Sequence, residues 1–420
     1  MKAKIWLSIV AAVLVAGVAA GALWWKLRPQ TVVLSDGTKL KLVAVTYGKH
    51  HNFPGQRTPV RANRRNGQFD STNDTLFVWL EQQHQGNQWP NYQLVAYDPA
   101  NTACASYSMM TSRQIRRGDE MVGIRFDAFP HRAGKFYLRL QEWNRQNGRQ
   151  TTKYSFVISN PSRGPFPTWY PDRLPDVQSD GDLEVTLTRL VFGARPEYMR
   201  SDDAPDDPMN KAVLAAFQIK QNGVAATNWQ PAQVETFDAT GNHITGSCNN
   251  HWENDELVTL YQWGLWPNEP AWKLRAEFSR TSGFNDDEVW TVQNIPIEAG
   301  NMQNFWNYGP NRTNSAFAET ALNGFHLKIF PVKQFTDQPA ESAQQGAFQV
   351  QIDPMPEGMR MTLVRATDDQ GRTIGNWRWS WGGNYNAFAL RSLDGVKSVN
   401  VTLAFHKSRF VEFTVKPTKS

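Results

Sequence analysis

Two stretches of the chain follow the same plan, and this repetition constrains the fold more than any other feature. One runs from Glu120 to Arg145 and the other from Glu256 to Arg280. Each begins with Glu, an apolar residue and Val, and each places an aromatic residue before a proline, at Phe129-Pro130 and Trp266-Pro267. Each ends with Leu-Arg followed by an acid and an arginine. A plan that occurs twice in one chain predicts repeated structural units.

The end of the later stretch alternates strictly between apolar and polar residues. This period of two is typical of a strand with one buried face. Pro267 and Pro270 lack the N–H group that a sheet interior needs, so they belong to a connection. We therefore predict a β-hairpin or a corner in this stretch. The residues predicted to face the core are Trp272, Leu274, Ala276 and Phe278.

Three regions of the chain share an order of landmarks. Each begins with an alternating strand, contains a strand that ends in an Asp-initiated turn, and closes with a strand that leads to proline. Asp98, Asp238 and Asp368 begin the three turns. About seven short strands per region is typical of an immunoglobulin-like or fibronectin-type sandwich. The Cys–Trp–Cys spacing of true immunoglobulin domains is absent, so the similarity is one of strand count and spacing.

The predicted fold is mainly β, with an N-terminal transmembrane helix followed by three tandem immunoglobulin- or fibronectin-like antiparallel β-sandwich modules. The modules are predicted at residues 31–159, 182–298 and 321–417. A proline-rich linker is predicted at 160–181 and a second linker at 299–320. We expect the linker aromatics, including Trp169-Tyr170, to pack against the module ends. Strands of the first module are predicted at Lys39–Thr46, Thr75–Gln82, Tyr92–Tyr97, Met121–Phe126, Phe136–Gln141 and Tyr154–Ile158.

The N-terminus carries a targeting signal. After a short basic start, no charged residue occurs from Ile5 to Trp25. As a helix this segment spans about 30 Å, enough for the core of a bilayer. We predict an uncleaved signal anchor over residues 1–28, which makes the protein a single-pass protein of the inner membrane. The rest of the chain is then periplasmic or extracellular, and a cleaved signal peptide is the alternative.

Charge is unevenly distributed among the three regions. Residues 31–158 hold 17 Lys and Arg against 9 Asp and Glu, a net charge of +8. Residues 182–298 hold 8 against 18, a net charge of −10, and residues 321–416 hold 11 against 8, a net charge of +3. The positive charge forms no continuous stripe, which argues against nucleic-acid binding. Seven arginines of the first module are predicted to contact the membrane surface, the alternative being solvated loops: Arg57, Arg61, Arg64, Arg65, Arg113, Arg116 and Arg117.

Tryptophans give the most suggestive candidate site. Trp377, Trp379 and Trp381 recur every second residue, so one strand would place all three on one face, with Tyr385 close behind. A core position is the expectation. The alternative is a platform that stacks on sugar rings or extended peptides.

Known catalytic and metal-binding motifs are absent from the sequence. We predict no catalytic residue, no cofactor and no metal site. Cys104 and Cys248 occupy equivalent positions after two Asp turns, and we expect both to be small buried residues; a disulfide between them is the alternative. The predicted function is that of a membrane-anchored scaffold or protein-interaction protein without catalytic activity. A carbohydrate- or peptide-binding array is one alternative, and a hydrolase with an unrecognised site is another.

Overall fold

The computed structural model describes most of the chain from residue 31 onwards, and its fold is mainly β with several sheets, as predicted. Within these residues, no helix has both the length and the apolar composition needed to cross a membrane. The predicted anchor lies outside them. The described ranges are 31–54, 68–83, 92–104, 109–116, 119–143, 150–162, 164–194, 212–253, 255–262, 264–302, 305, 315–336, 345–353, 356–380 and 385–420.

The described residues form twenty-eight strands and a short 3-10 helix, Asp286–Glu288, and Met302 and Phe305 are also helical. All six strands predicted for the first module are present, and Tyr92–Tyr97 has its predicted bounds. The strands are β1 (Thr31–Val33), β2 (Lys39–Asn52), β3 (Gln68–Gln83), β4 (Tyr92–Tyr97), β5 (Ala103–Cys104), β6 (Met109–Arg116), β7 (Asp119–Phe126), β8 (Lys135–Trp143), β9 (Gln150–Ser159), β10 (Asp176–Asp180), β11 (Leu183–Ala194), β12 (Ala212–Gln221), β13 (Val224–Ala225), β14 (Trp229–Asp238), β15 (His243–Glu253), β16 (Glu256–Gln262), β17 (Trp272–Arg280), β18 (Val289–Gly300), β19 (Ala318–Leu322), β20 (Phe325–Ile329), β21 (Val332–Phe335), β22 (Gly346–Ile352), β23 (Met359–Asp368), β24 (Asn376–Ser380), β25 (Tyr385–Leu390), β26 (Ser398–Lys407), β27 (Arg409–Val415) and β28 (Thr418–Lys419).

The first sandwich consists of two sheets, with strand orders β1-β2-β3-β7-β6 and β5-β4-β8-β9. Their inward side chains meet in one hydrophobic core. Leu40 and Val78 come from the first sheet, and Leu94 and Leu138 come from the second; all four are buried.

The second sandwich has the strand order β10-β11-β12-β16-β15-β14-β17-β27. β15 serves both of its layers, because residues up to Ser247 pair with β14 and residues from Cys248 pair with β16. β16 and β17 lie in different layers, so the stretch that joins them is a corner and not a hairpin. The predicted inward residues Trp272, Leu274, Ala276 and Phe278 are all buried, as expected.

Two strands are exchanged between the second and third sandwiches. β18 follows β17 in sequence, but it pairs with β26 and β21 of the third sandwich. β27 follows β26 in sequence, but it pairs with β17 of the second. Only Ser408 separates β26 from β27, and hairpin loops need at least two residues, so β27 cannot fold back on β26. The third sandwich is therefore inserted into the second, a feature that the predicted module boundaries did not include.

Glu277 shows how closely these two sandwiches are joined. The alternation of β17 places Glu277 on the polar face, opposite the core residues, yet its side chain is buried. Arg360 of β23 donates a hydrogen bond of 2.6 Å to Glu277 Oε1 and forms an ion pair with Oε2. Ser408 Oγ donates a further hydrogen bond of 2.7 Å to Oε1. Glu277 is buried because the third sandwich covers the outer face of β17 at this position.

Candidate functional site at the junction of the first two sandwiches

The three Asp-initiated turns predicted from the sequence have the same hydrogen-bonding pattern. The carboxylates of Asp98, Asp238 and Asp368 each accept the backbone N–H of the residue four positions later, at 2.7, 3.2 and 2.8 Å. The residue three positions after each Asp has positive φ: Asn101, Gly241 and Gly371. Asn and Gly tolerate this left-handed conformation. The predicted turns are therefore confirmed at all three positions.

Two of these turns dock reciprocally on the aromatic–proline corners. Asn242, at the end of the second turn, accepts a hydrogen bond from Phe129 N at 3.0 Å and donates one to Phe129 O at 3.1 Å. In the opposite direction, Trp266 Nε1 donates to Thr102 O, at the end of the first turn, at 3.0 Å. Asn268 Nδ2 donates to Asp98 Oδ2 at 3.3 Å. The Asp turn of each sandwich thus contacts the aromatic–proline corner of the other. This explains why the Asp turn and the aromatic–proline pair both recur in the sequence.

Apolar packing and an ion pair complete the interface between the first and second sandwiches, which we call the joint. Buried side chains of the first and second sandwiches belong to one continuous core, which includes Phe129, Leu265 and Trp266. Arg132 Nε lies 2.8 Å from Glu269 Oε2, and Arg132 also donates to Pro167 O at 2.6 Å. The second sandwich and the connecting segment are therefore both fixed to the first.

A groove of about 640 Å³ lies beside the joint. It is lined by the turn from Asp238 to His243, together with Tyr47 and His131. The lining also includes Lys49, Asn73 and Asp74 from the first sandwich, Lys273 and Glu412 from the second, and Trp169 from the connection between them. This volume falls within the range of about 300–1,000 Å³ that is typical of small-molecule sites.

Trp169 is half-buried in the groove wall, whereas its neighbour Tyr170 is 84% exposed. Lys273 Nζ lies 5.7 Å from the centre of the Trp169 ring and 3.5 Å from Glu412 Oε2. In the first linker, the expectation that the aromatics pack against a module end is therefore met by Trp169 and not by Tyr170.

Asp238 is buried beside the groove, and its carboxylate accepts four hydrogen bonds from the turn. Its Oδ1 accepts Thr240 N at 2.8 Å, Thr240 Oγ1 at 2.6 Å and Asn242 N at 3.2 Å. Its Oδ2 accepts Asn242 Nδ2 at 2.7 Å. A carboxylate with four such donors orients the turn and keeps Asn242 in place for the joint.

His131 is buried where the two sandwiches and the connecting segment meet. Its ring centre lies 3.9 Å from that of Phe129, and its Nδ1 lies 3.5 Å from Ser162 Oγ. Removal from water lowers the pKa of His131 to about 4, although the charge of Asp238 acts in the opposite direction. His131 is therefore a neutral imidazole at pH 7 and fills the joint as an aromatic side chain.

We expect the protein to lose stability on acidification because of His131. Its pKa is about 4 when folded, against 6.5 for the ordinary value, so the unfolded state binds more protons between these pH values. Between pH 7 and pH 5 the free energy of unfolding should fall by roughly 2 kcal/mol through this group. Urea denaturation at both pH values checks this, with His131→Asn as the matched variant.

The difference between wild type and His131→Asn should shift by that amount in favour of the variant at pH 5. An unchanged difference would show that His131 titrates normally. Burial is the largest cause of the raised pKa of Glu269. Protonation of Glu269 therefore stabilises the folded state as the pH falls towards that pKa. Because Glu269 is present in both proteins, its contribution cancels in the comparison.

The site residues predicted from the sequence lie elsewhere. Trp377 and Trp379 lie in β24, where their main chain pairs with Ala389 and Ala387 of β25, and Tyr385 is half-buried. The side chains of both tryptophans, and Trp381 entirely, are outside the described residues. Of the predicted membrane contacts, Arg113 and Arg116 have their main chain in β6. The remaining five lie outside the described ranges: Arg57, Arg61, Arg64, Arg65 and Arg117. Both sets of residues stay predictions.

Cys248 is an unbonded thiol that packs against the shared core, and burial raises its pKa to about 12. The side chain of Cys104 is outside the described part of the chain. Within the described ranges, no group of three or more His, Cys, Asp or Glu side chains is placed to hold a metal ion.

The sequence contained a signal for the joint but not for the groove. The Asp turns and the aromatic–proline pairs were visible as repeated landmarks, whereas nothing indicated that they would contact each other. Lys49, Asp74 and Lys273 belong to ordinary polar faces, and only the docking of two sandwiches brings them together. No known protein-family model matches the chain, and a search of curated proteins finds no match.

Proposed function

We propose that the chain forms three immunoglobulin- or fibronectin-like sandwiches carried by an N-terminal membrane anchor. The strand order of the first sandwich supports this. Its two sheets, β1-β2-β3-β7-β6 and β5-β4-β8-β9, have the strand order of a constant-type immunoglobulin sandwich with two short additional strands, β1 and β5. The uncharged segment Ile5–Trp25 supports the anchor and an extracytoplasmic location for the sandwiches.

The proposed function is that of a rigid extracytoplasmic scaffold that positions a protein partner at a fixed place relative to the membrane. The observation that carries this proposal is the construction of the two joints. The first and second sandwiches share a core and reciprocal hydrogen bonds. The second and third exchange strands and bury an ion pair. Domains within a chain are expected to move unless their interface is large and apolar, so such joints are typical of a protein that has to keep its shape.

A non-catalytic role agrees with the use of the ionisable groups at the junction. The carboxylate of Asp238 accepts hydrogen bonds from its own turn, and His131 is a neutral side chain packed in the joint. Neither is left with the access to a substrate that a general acid or base requires.

Cross-linking in native membranes tests the scaffold role. After cross-linking, the full-length protein should be purified together with a partner protein in a constant ratio. Asn242→Ala removes the hydrogen bonds to Phe129 and should reduce this yield at least fivefold while the sandwiches stay folded. Arg372→Ala alters the equivalent position of the third turn, where the arginine side chain is exposed, and should leave the yield unchanged. Recovery of the protein alone, or equal yields for the two variants, would contradict the proposal.

A further inference from the structure

The groove beside the joint contains an aromatic ring together with hydrogen-bond donors and acceptors. Trp169 presents a half-buried indole, and an aromatic face is a rigid apolar surface on which a flat ligand can stack. Asn73, Asp74 and Glu412, which also line the groove, are exposed. Amide, carboxylate and ammonium groups together supply donors and acceptors within one site.

The charges of the groove walls balance each other. Lys49 and Lys273 contribute two positive charges, and Asp74 and Glu412 contribute two negative ones. Asp238 adds a carboxylate that is buried and already accepts four hydrogen bonds. A strongly anionic ligand would meet two exposed carboxylates and a strongly cationic ligand two ammonium groups, and like charges placed side by side are unfavourable. The groove therefore favours a ligand without net charge and with many hydroxyl groups.

Hydrogen bonds and an ion pair fix the elements that line the groove to one another. Asn242, at the end of the Asp238 turn, is bonded to Phe129, and Arg132 ties the connecting segment to both sandwiches through Pro167 and Glu269. A ligand that enters this groove requires no hinge closure, and such preorganisation lowers the cost of binding.

We propose that this groove binds a neutral oligosaccharide, with one sugar ring stacked on Trp169 and its hydroxyl groups bonded to Asp74, Lys273 and Glu412. The site goes beyond the scaffold role and does not depend on it. It also differs from the tryptophans of β24, since Trp169 belongs to the connection between the first two sandwiches.

Titration of the full chain with neutral and anionic sugars tests this proposal. The protein is purified in a detergent without a sugar headgroup, and isothermal titration calorimetry is run with chitohexaose, cellohexaose, maltohexaose and a heparin hexasaccharide. At least one neutral sugar should bind with a dissociation constant below 1 mM (about −4 kcal/mol), and more tightly than heparin. Trp169→Ala should weaken that binding at least tenfold without changing the melting temperature.

Trp252→Ala is the matched control, because Trp252 is also a partly exposed tryptophan but lies outside the groove. It should leave the affinity within twofold of wild type, and Asp74→Ala should weaken it at least threefold. Three results would each overturn the proposal: no binding of any neutral hexasaccharide, tighter binding of heparin, or equal affinity of the Trp169→Ala variant and wild type. Because partner recovery after cross-linking is measured separately, failure of this site leaves the scaffold role intact.

Discussion

A fragment spanning residues 176–298 is expected to remain unfolded, because it lacks β27. This strand supplies Val411, Phe413 and Val415, which are buried in the core of the second sandwich. Burial of each such side chain contributes roughly 1.5–3 kcal/mol, so their loss removes about 5–9 kcal/mol. The whole stability of a domain is about 5–15 kcal/mol. Circular dichroism and one-dimensional NMR of the fragment check this expectation.

Two other fragments provide the controls. Phe278 pairs with Arg409, so the end of β17 adjoins the start of β27. Joining residues 176–280 to 409–420 through a loop of roughly five residues should therefore give a folded second sandwich. Residues 284–408 contain β18 to β26 and should fold alone as the third sandwich. A cooperative unfolding transition of fragment 176–298, together with unfolded behaviour of the joined fragment, would contradict the strand exchange.

Arg360→Ala is expected to destabilise the protein by about 3–5 kcal/mol, because it leaves the buried carboxylate of Glu277 without its ionic partner. Arg372→Ala is the matched control. Its guanidinium also pairs with a buried carboxylate, that of Asp368, but the arginine side chain itself is 70% exposed. Exposed ion pairs contribute about 0–1 kcal/mol, so this variant should stay close to wild type.

Urea denaturation at pH 7 measures both variants, with tryptophan fluorescence as the signal. A loss below about 1 kcal/mol for Arg360→Ala would show that the ion pair between the second and third sandwiches is solvated. Hydrogen exchange adds a local readout, since amide protection should fall in β17 and β23 of the first variant and in neither strand of the second.

The sequence was sufficient for the strands and turns because their signals are local. The alternation from Trp272 to Phe278 depends on neighbours two residues apart, and the Asp turns depend on residues within five positions. The predicted strand and the predicted turns are both present in the folded protein. The exchange of β18 and β27 was not predicted, because each strand has the pattern of a closing strand and pattern alone does not specify a partner. The one signal of the exchange was the single residue between β26 and β27, Ser408, which is too short for a hairpin loop.

The candidate site was harder to predict than the fold. Lys49, Trp169 and Lys273 are each separated from the next by more than a hundred residues of sequence, and no periodicity links them. Their proximity follows from the docking of the Asn242 turn on Phe129, which is a tertiary contact. The alternation of β17 likewise gives no sign that Glu277 is buried, because its ionic partner comes from another sandwich.

Disulfide trapping tests the strand exchange most directly. Lys273 faces Thr414 across β17 and β27, and Thr291 faces Thr402 across β18 and β26. Directly paired residues of antiparallel strands lie about 4.5–5.5 Å apart, within reach of a disulfide. With Cys104 and Cys248 replaced by serine, cysteine pairs at 273/414 and at 291/402 should each form a disulfide in mass spectrometry under non-reducing conditions, and a pair at 273/291 should not. Cross-linking of the 273/291 pair alone would show that each sandwich closes with the strand next to it in sequence, and would contradict this account.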